Sequence, residues 1–272
     1  MLFRSHIPEF PLSHFIESLY YFEGFTPEHS IDRFLPDGNV HIIIDLSETP
    51  KYIYDNDTLE ERQACRNAWV SGIRTGYICI PSGLDAKNMI VNFRKGMSYP
   101  FFGMPVSELT NVVADAEQVF GRGILELRSE LQETDSIEGK FALTERFLLN
   151  AAGRSPDDNP VIRHSLERLI HEPYGKSLKE ISGDIGYSQK HFIQLFKDNV
   201  GVTPKTFLRI MRFQKAIEEI ERIGNVSWIE IAVDCGYYDQ SHFINDFKNF
   251  SGFTPEEYMV RKNGQVNYIP IR

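Results

Sequence analysis

Two clusters of polar side chains near the C-terminal end of the 272-residue chain have the types and spacing to touch a nucleic acid. Ser188, Gln189, Lys190, Gln194 and Lys197 form the first, and Asp239, Gln240, Ser241, Asn245 and Lys248 form the second. Amides and hydroxyls can exchange hydrogen bonds with base edges, and lysines can neutralise phosphates. Within the same segments Phe192 and Phe196, then Phe243 and Phe247, recur at i, i+4 and would bury the opposite face of a helix. His191 and His242 sit beside these rings in equivalent positions. Capping or a phosphate contact at the helix start is the role expected of both.

Other chemistry finds little support in the residues. A metal-dependent barrel enzyme needs a His-x-His pair with further ligands, but His41 has Ile43 where the second histidine would stand, and His6, His14 and His29 lie outside plausible adjacent strands. There is no GxSxG, P-loop or HExxH motif. Neither Cys65 nor Cys79 has the Pro-Cys-His context of a methyl-accepting thiol. Cys65, Cys79 and Cys235 share no CxxC spacing, which argues against a disulfide framework and a structural zinc site. The expectation is therefore a non-enzyme with no cofactor and no metal. The opening residues MLFRSHIPEF lack the apolar run of a secretory signal, and no stretch approaches eighteen uninterrupted apolar residues. A cytosolic protein with no membrane partner is expected.

The elements that would position the polar clusters come from an internal repeat. SLKEISGDIGY (177–187) matches SWIEIAVDCGY (227–237) at six of eleven positions. SQKHFIQLFKDNVGVTPKTF (188–207) matches DQSHFINDFKNFSGFTPEEY (239–258) at nine of twenty. Each copy opens on a capping box, Ser177 with Glu180 and Ser227 with Glu230, in which hydroxyl and carboxylate satisfy orphan amides. Each short helix then stops at Gly186 or Gly236, and a second helix ends near Gly201 or Gly252. Thr203-Pro204 and Thr254-Pro255 start a third, with Thr as N-cap and Pro in the first turn. Helix, glycine turn, helix is the helix-turn-helix pattern. A self-packing solenoid is the alternative, but it normally needs three or more copies, and here two copies are joined by one long helix, roughly Pro204 to Ile223. On that helix Arg209, Arg212 and Lys215 are solvated or paired with Glu218 and Glu219. Cys235 stands where the other copy has Ile185, which marks it as a small buried hydrophobe.

Charge divides the chain as well. Of 29 Lys+Arg and 38 Asp+Glu, residues 1–160 hold 14 and 24, a balance of −10; the rest hold 15 and 14, a balance of +1. The second part can face a polyanion without strong repulsion, and dimerisation would supply affinity that its modest charge does not. The best linker is AAGRSPDDNP (151–160), so residues 1–155 and 156–272 are read as two domains. The first is β-rich. In NVHIIIDL, Val40, Ile42, Ile44 and Leu46 fall on one face, with His41, Ile43 and Asp45 on the other; similar runs between Gly and Pro turns indicate a small barrel or sandwich. From Val106 through Leu109, Val112, Val113, Ala116 and Val119 to Phe120 the spacing predicts a helix, and a second is predicted from Ile137 to Leu149. Phe34, Trp69, Tyr77, Phe93, Tyr99, Phe101 and Phe102 are the rings available to line a cavity for a small molecule. The alternative is that they fill the core of a protein-interaction or dimerisation module.

The paired motifs, above all IAVDCGYYDQSHFINDFKNFSGFTPEEY, resemble the C-terminal signature of AraC/XylS-type transcription regulators over roughly Val161 to Lys262. The resemblance implies an all-α domain with two helix-turn-helix units, recognition helices beginning near Ser188 and Asp239, and double-stranded DNA as partner. The N-terminal part, through FLPDGNVHIIIDL and MIVNFRKGMSYPFFGMPVSELTN, is similar to that family's cupin-like regulatory barrel, giving an α+β protein overall. A small-molecule effector, RNA polymerase and a second copy of the chain are the further partners implied. On this reading Gln189, Lys190, Gln194, Gln240, Ser241 and Asn245 read bases while Lys197 and Lys248 hold phosphates. Ser188, His191, Tyr238, Asp239 and His242 complete the contact set. Asn245 and Asp246 depart from the family's usual basic and small residues, so Asp246 is expected to point away from DNA or pair with a neighbouring base.

Overall fold

A computed structural model describes residues 1–153, 158–171, 186–222 and 227–271. The Ser177–Glu180 cap, Ile185 and the middle of the linker lie outside the described residues. The N-terminal part contributes β1 (Leu2–His6), β2 (Ile16–Glu23), β3 (Ile31–Phe34), β4 (His41–Asp45) and β5 (Lys51–Tyr54). It continues with β6 (Glu61–Cys65), β7 (Ala68–Ser71), β8 (Ile78–Pro81), β9 (Lys87–Phe93) and β10 (Val113–Asp115). One sheet runs β1-β2-β9-β4-β7-β10, and its paired strands are antiparallel.

The two-residue period of a strand sorts this sheet's faces. Leu19, Tyr21, Ile42, Ile44, Val70 and Val91 are buried in the main core, on the side covered by helices. Their sequence neighbours Tyr20, Phe22, Ile43, Trp69 and Ile90 face the opposite way, into the barrel. The alternation expected of NVHIIIDL is therefore present, and it separates a packed back from a lined front.

The helical expectation for residues 106–120 is corrected. Val106–Leu109 is a 3-10 turn, Asn111 takes a positive φ of 60°, and Val113–Asp115 is a strand paired with Ser71–Trp69. Only α1 (Ala116–Phe120) is helical, capped by Asp115, whose side chain accepts from the Glu117 amide. Two β-branched valines and a free sheet edge outweighed the i, i+3 spacing. Helix α2 (Gly123–Glu133) follows, unanticipated from the sequence, and α3 (Ile137–Ala151) covers the second stretch expected to be helical.

The helical part holds α4 (Pro160–His171), α5 (Gln189–Val200), α6 (Pro204–Arg222), α7 (Trp228–Asp234), α8 (Gln240–Ser251) and α9 (Pro255–Arg261). One continuous apolar cluster runs from the back of the first sheet into Phe192, Phe196, Phe213, Phe243 and Phe247. After α9 the chain returns to the N-terminal part. Strand β11 (Tyr268–Pro270) pairs with β3, in the register Tyr268 to Phe34, Ile269 to Arg33 and Pro270 to Asp32. The second sheet is thereby β11-β3-β8-β5-β6. Gln214 of α6 locks this junction: its Nε2 donates to the Pro36 carbonyl (2.7 Å) and to Asn267 Oδ1 (2.8 Å).

Candidate nucleic-acid interface and barrel cavity

Both copies of the repeat build their second helix by the same local rules. Ser188 caps α5, its hydroxyl accepting from the His191 amide (3.3 Å), and Asp239 caps α8, its carboxylate accepting from the His242 amide (2.7 Å). The histidines are thus the capped residues rather than the caps. Their rings turn back onto tyrosines, His191 on Tyr187 (4.8 Å between centroids) and His242 on Tyr237 (5.3 Å). Gly201 and Gly252 end the helices in the left-handed conformation, with φ of 99° and 74°. Asp239→Ala removes one cap, and urea denaturation should show a loss of about 1 kcal/mol.

The apolar stripes point inward. Phe192, Phe196, Phe243 and Phe247 have no exposed surface. The polar positions are left outside: Ser188, Gln189, Lys190, His191, Gln194 and Lys197 are exposed on the first unit. On the second, Tyr238, Asp239, Ser241, His242, Asn245 and Lys248 are exposed and Gln240 is half-buried. Tyr238 stands out at 92% exposure immediately before the cap. The Gln194 amide donates to Asp198 (2.8 Å), a surface bond that a base edge would have to replace. In the second unit α7, the turn and α8 are all described. In the first, residues 177–185 are outside the described residues, and only the turn at Gly186 and α5 are seen.

Asp246 points away from that polar face. Its side chain is 7% exposed and accepts two hydrogen bonds from Arg209 of α6, to Nη2 at 2.6 Å and Nε at 3.1 Å. Arg209 therefore pairs across helices rather than with Glu218 or Glu219, while Glu219 takes Arg222 (2.5 Å). The pairing ties the joining helix to the second recognition helix. Cys235 is fully buried, as its match with Ile185 implied.

Both helices also dock on the N-terminal part through their C-terminal glycines. The Thr110 hydroxyl donates to the Gly201 carbonyl (2.6 Å), and a Cβ on Gly201 would lie 2.6 Å from Ile73. Arg33 of β3 donates from Nη1 to the Ser251 carbonyl (3.2 Å) and stacks between Tyr77 (4.0 Å) and Phe253 (4.2 Å). Sequence reasoning missed these contacts, since neither Thr110 nor Arg33 belongs to a local motif.

Between the two sheets lies a cavity of about 500 Å³. Of the rings proposed to line it, Phe34 and Trp69 do. Phe93, Phe101 and Phe102 instead belong to the helix-side core, Tyr77 stacks on Arg33, and Tyr99 is partly exposed at the surface. Tyr20, Phe22, Phe25 and, from the C-terminal strand, Tyr268 take their places. The alternation in IESLYYFE could have found Tyr20 and Phe22; nothing local marks Tyr268. Asp32 also lines the cavity, beside His29 (Nε2 to Oδ1, 2.8 Å), and His41 holds Asp37 (3.0 Å). Among the described residues no group of three or more His, Cys, Asp or Glu side chains is placed to hold a metal ion. No helix among them is long and apolar enough to cross a membrane.

The architecture is that of a helix-turn-helix protein carrying a β-barrel. A helix-turn-helix domain family matches residues 181–261, and a domain of unknown function (DUF6597) matches residues 4–115. The TetD protein of transposon Tn10 from Escherichia coli is 30% identical over 101 residues, covering 37% of this chain and 68% of that protein. An uncharacterized HTH-type transcriptional regulator from Haemophilus influenzae is 32% identical over 71 residues, 26% of this chain and 24% of the regulator; the chain thus spans about a quarter of that relative. A solved AraC-type DNA-binding regulator from Chromobacterium violaceum is 21% identical, with a TM-score of 0.35, covering 38% of this chain and 91% of that one. The chain belongs to the AraC/XylS family.

Proposed function

We propose that this chain is a sequence-specific DNA-binding regulator of transcription that places α5 and α8 in successive major grooves. The carrying observation is the repeated division of each helix into a buried phenylalanine stripe and an exposed polar face. Gln189, Lys190, Gln194, Gln240, Ser241 and Asn245 are the proposed base readers, and Lys197, Lys248 and the capped helix starts the phosphate contacts. The protein acts by binding rather than catalysis in this reading, from the cytoplasm, with RNA polymerase and a second copy of the chain as further partners.

Residues 1–155 are proposed as a sensing domain and 156–272 as the DNA-binding domain. The cavity favours sensing over a filled interaction module, because rings that could close the barrel leave about 500 Å³ open between the sheets. Strand β3 supplies a route for the signal. Its Asp32 and Phe34 line the cavity, while Arg33, on the opposite face, holds the end of α8.

Selection of bound duplexes from random DNA by the full chain tests the reading. The expected result is a bipartite site whose two elements lie about one helical turn, roughly 34 Å, apart. Footprinting that protects one groove per chain, or selection that enriches nothing, would refute it.

A further inference from the structure

The cavity is asymmetric in charge as well as shape. Its walls present the rings of Tyr20, Phe22, Phe25, Phe34, Trp69 and Tyr268. Ring faces carry negative potential and attract cations most strongly where water is excluded. Among the described lining residues Asp32 is the only carboxylate, its side chain 5% exposed. The lining also holds Lys51, whose ammonium is drawn to the Thr49 hydroxyl (3.3 Å) at an exposed position, His41, which is held by Asp37 (3.0 Å), and Met1. Residues 1–160, which supply most of the walls, balance to −10 from 14 basic and 24 acidic side chains.

We propose that the cavity takes a cationic ligand, an ammonium or amidinium group on an apolar body, with Asp32 as its counter-ion and the surrounding rings as its cage. The inference deepens the sensing role and rests on it. A carboxylate ligand would bring a second anion beside Asp32, in a cavity whose Tyr268 wall already feels Asp37. A neutral ligand would leave the Asp32 carboxylate answered by His29 alone (2.8 Å). Burial raises the Asp32 carboxyl above its ordinary range, and His29 opposes that rise. The Tyr268 hydroxyl is raised too, by burial and then by Asp37 and Asp32, as expected where negative potential gathers. A ligand cation would oppose the rise at both groups by favouring their charged forms. It would also sit against β3 and the C-terminal strand together, since Phe34 and Tyr268 pack at 4.9 Å between centroids.

Calorimetric titration of the full chain with phenylbutylamine, phenylbutanol and phenylbutyrate, which differ only in the head group, tests this near neutral pH. The amine is expected to bind at least about tenfold more tightly than the carboxylate, the scale of one desolvated cation–π or ion-pair contact. Asp32→Asn should bring the amine to the alcohol's affinity and leave the alcohol unchanged, so the alcohol reports that the variant's cavity is intact. Should that variant fail to fold, the order of the three probes on the unsubstituted chain decides alone. The proposal is overturned by a carboxylate that binds as tightly as the amine, by an amine indifferent to Asp32→Asn, or by no binding of any probe. DNA selection on the same preparation separates the two readings. Selective DNA binding without amine preference sinks the ligand class only, and amine preference without DNA selection sinks the regulator reading only.

Discussion

Arg209→Ala is expected to lower the free energy of unfolding by about 2–4 kcal/mol, because it leaves the Asp246 carboxylate buried without its main partner. Asp246 is 7% exposed at the side chain, and both of its oxygens accept from Arg209. His242 offers only a distant substitute, with Nε2 at 3.9 Å. Arg209 is itself 39% exposed, so water already screens one side of the pair and the upper end of the range for buried pairs is not reached. Urea denaturation of Arg209→Ala, Asp246→Asn and the double variant gives the coupling directly. The double variant should be markedly more stable than Arg209→Ala, since the orphaned charge is gone. A loss below about 0.5 kcal/mol, the level of an ordinary surface pair, would show that the bond does not hold the joining helix to α8.

Gly252→Ala is expected to cost about as much, roughly 2–4 kcal/mol, from two sources that add. Glycine takes the left-handed backbone here with φ of 74°, which costs a residue with a Cβ about 1–2 kcal/mol. The new methyl group would also collide with the Arg33 guanidinium and lie 2.6 Å from the Tyr77 ring, the two groups that seat the end of α8 on the barrel. Gly186 separates the terms. It has the same φ of 74° but, among the described residues, nothing within 4 Å of an added Cβ, so Gly186→Ala should show the backbone cost alone. Thermal unfolding of the two variants would give the difference. Equal losses would mean that α8 is not seated on β3 as described, and the proposed signal route through Arg33 would go with it.

The helical half was readable because its information is local. Phe192 with Phe196 and Phe243 with Phe247 are one turn apart, and caps at Ser188, Asp239 and Thr254 act within three residues. The duplication doubled the signal, so the exposed polar face could be named residue by residue. Asp246 was recognised as out of place on that face, but its partner lies on another helix and was not found. Reading residues 106–120 as one helix failed where a neighbouring strand competed for the backbone: Val113–Asp115 satisfies its hydrogen bonds on β7.

The barrel shows the same limit on a larger scale. Alternation in NVHIIIDL and IESLYYFE dictates that a strand has two faces, but not which face meets helices and which meets empty space. That choice placed Tyr20 and Phe22 in the cavity and Phe93 in the core. Sequence alone therefore determined the two helix-turn-helix units and their outward polar residues, because neighbouring residues decide those features, whereas Ser188 and Asp239 took the capping role expected of His191 and His242. Tertiary structure alone decided that Tyr268, on the strand after α9, lines the cavity, and that Arg33 and Thr110 grip the ends of α8 and α5. Those contacts join residues with no periodic relation, and only the folded chain brings them within bonding distance.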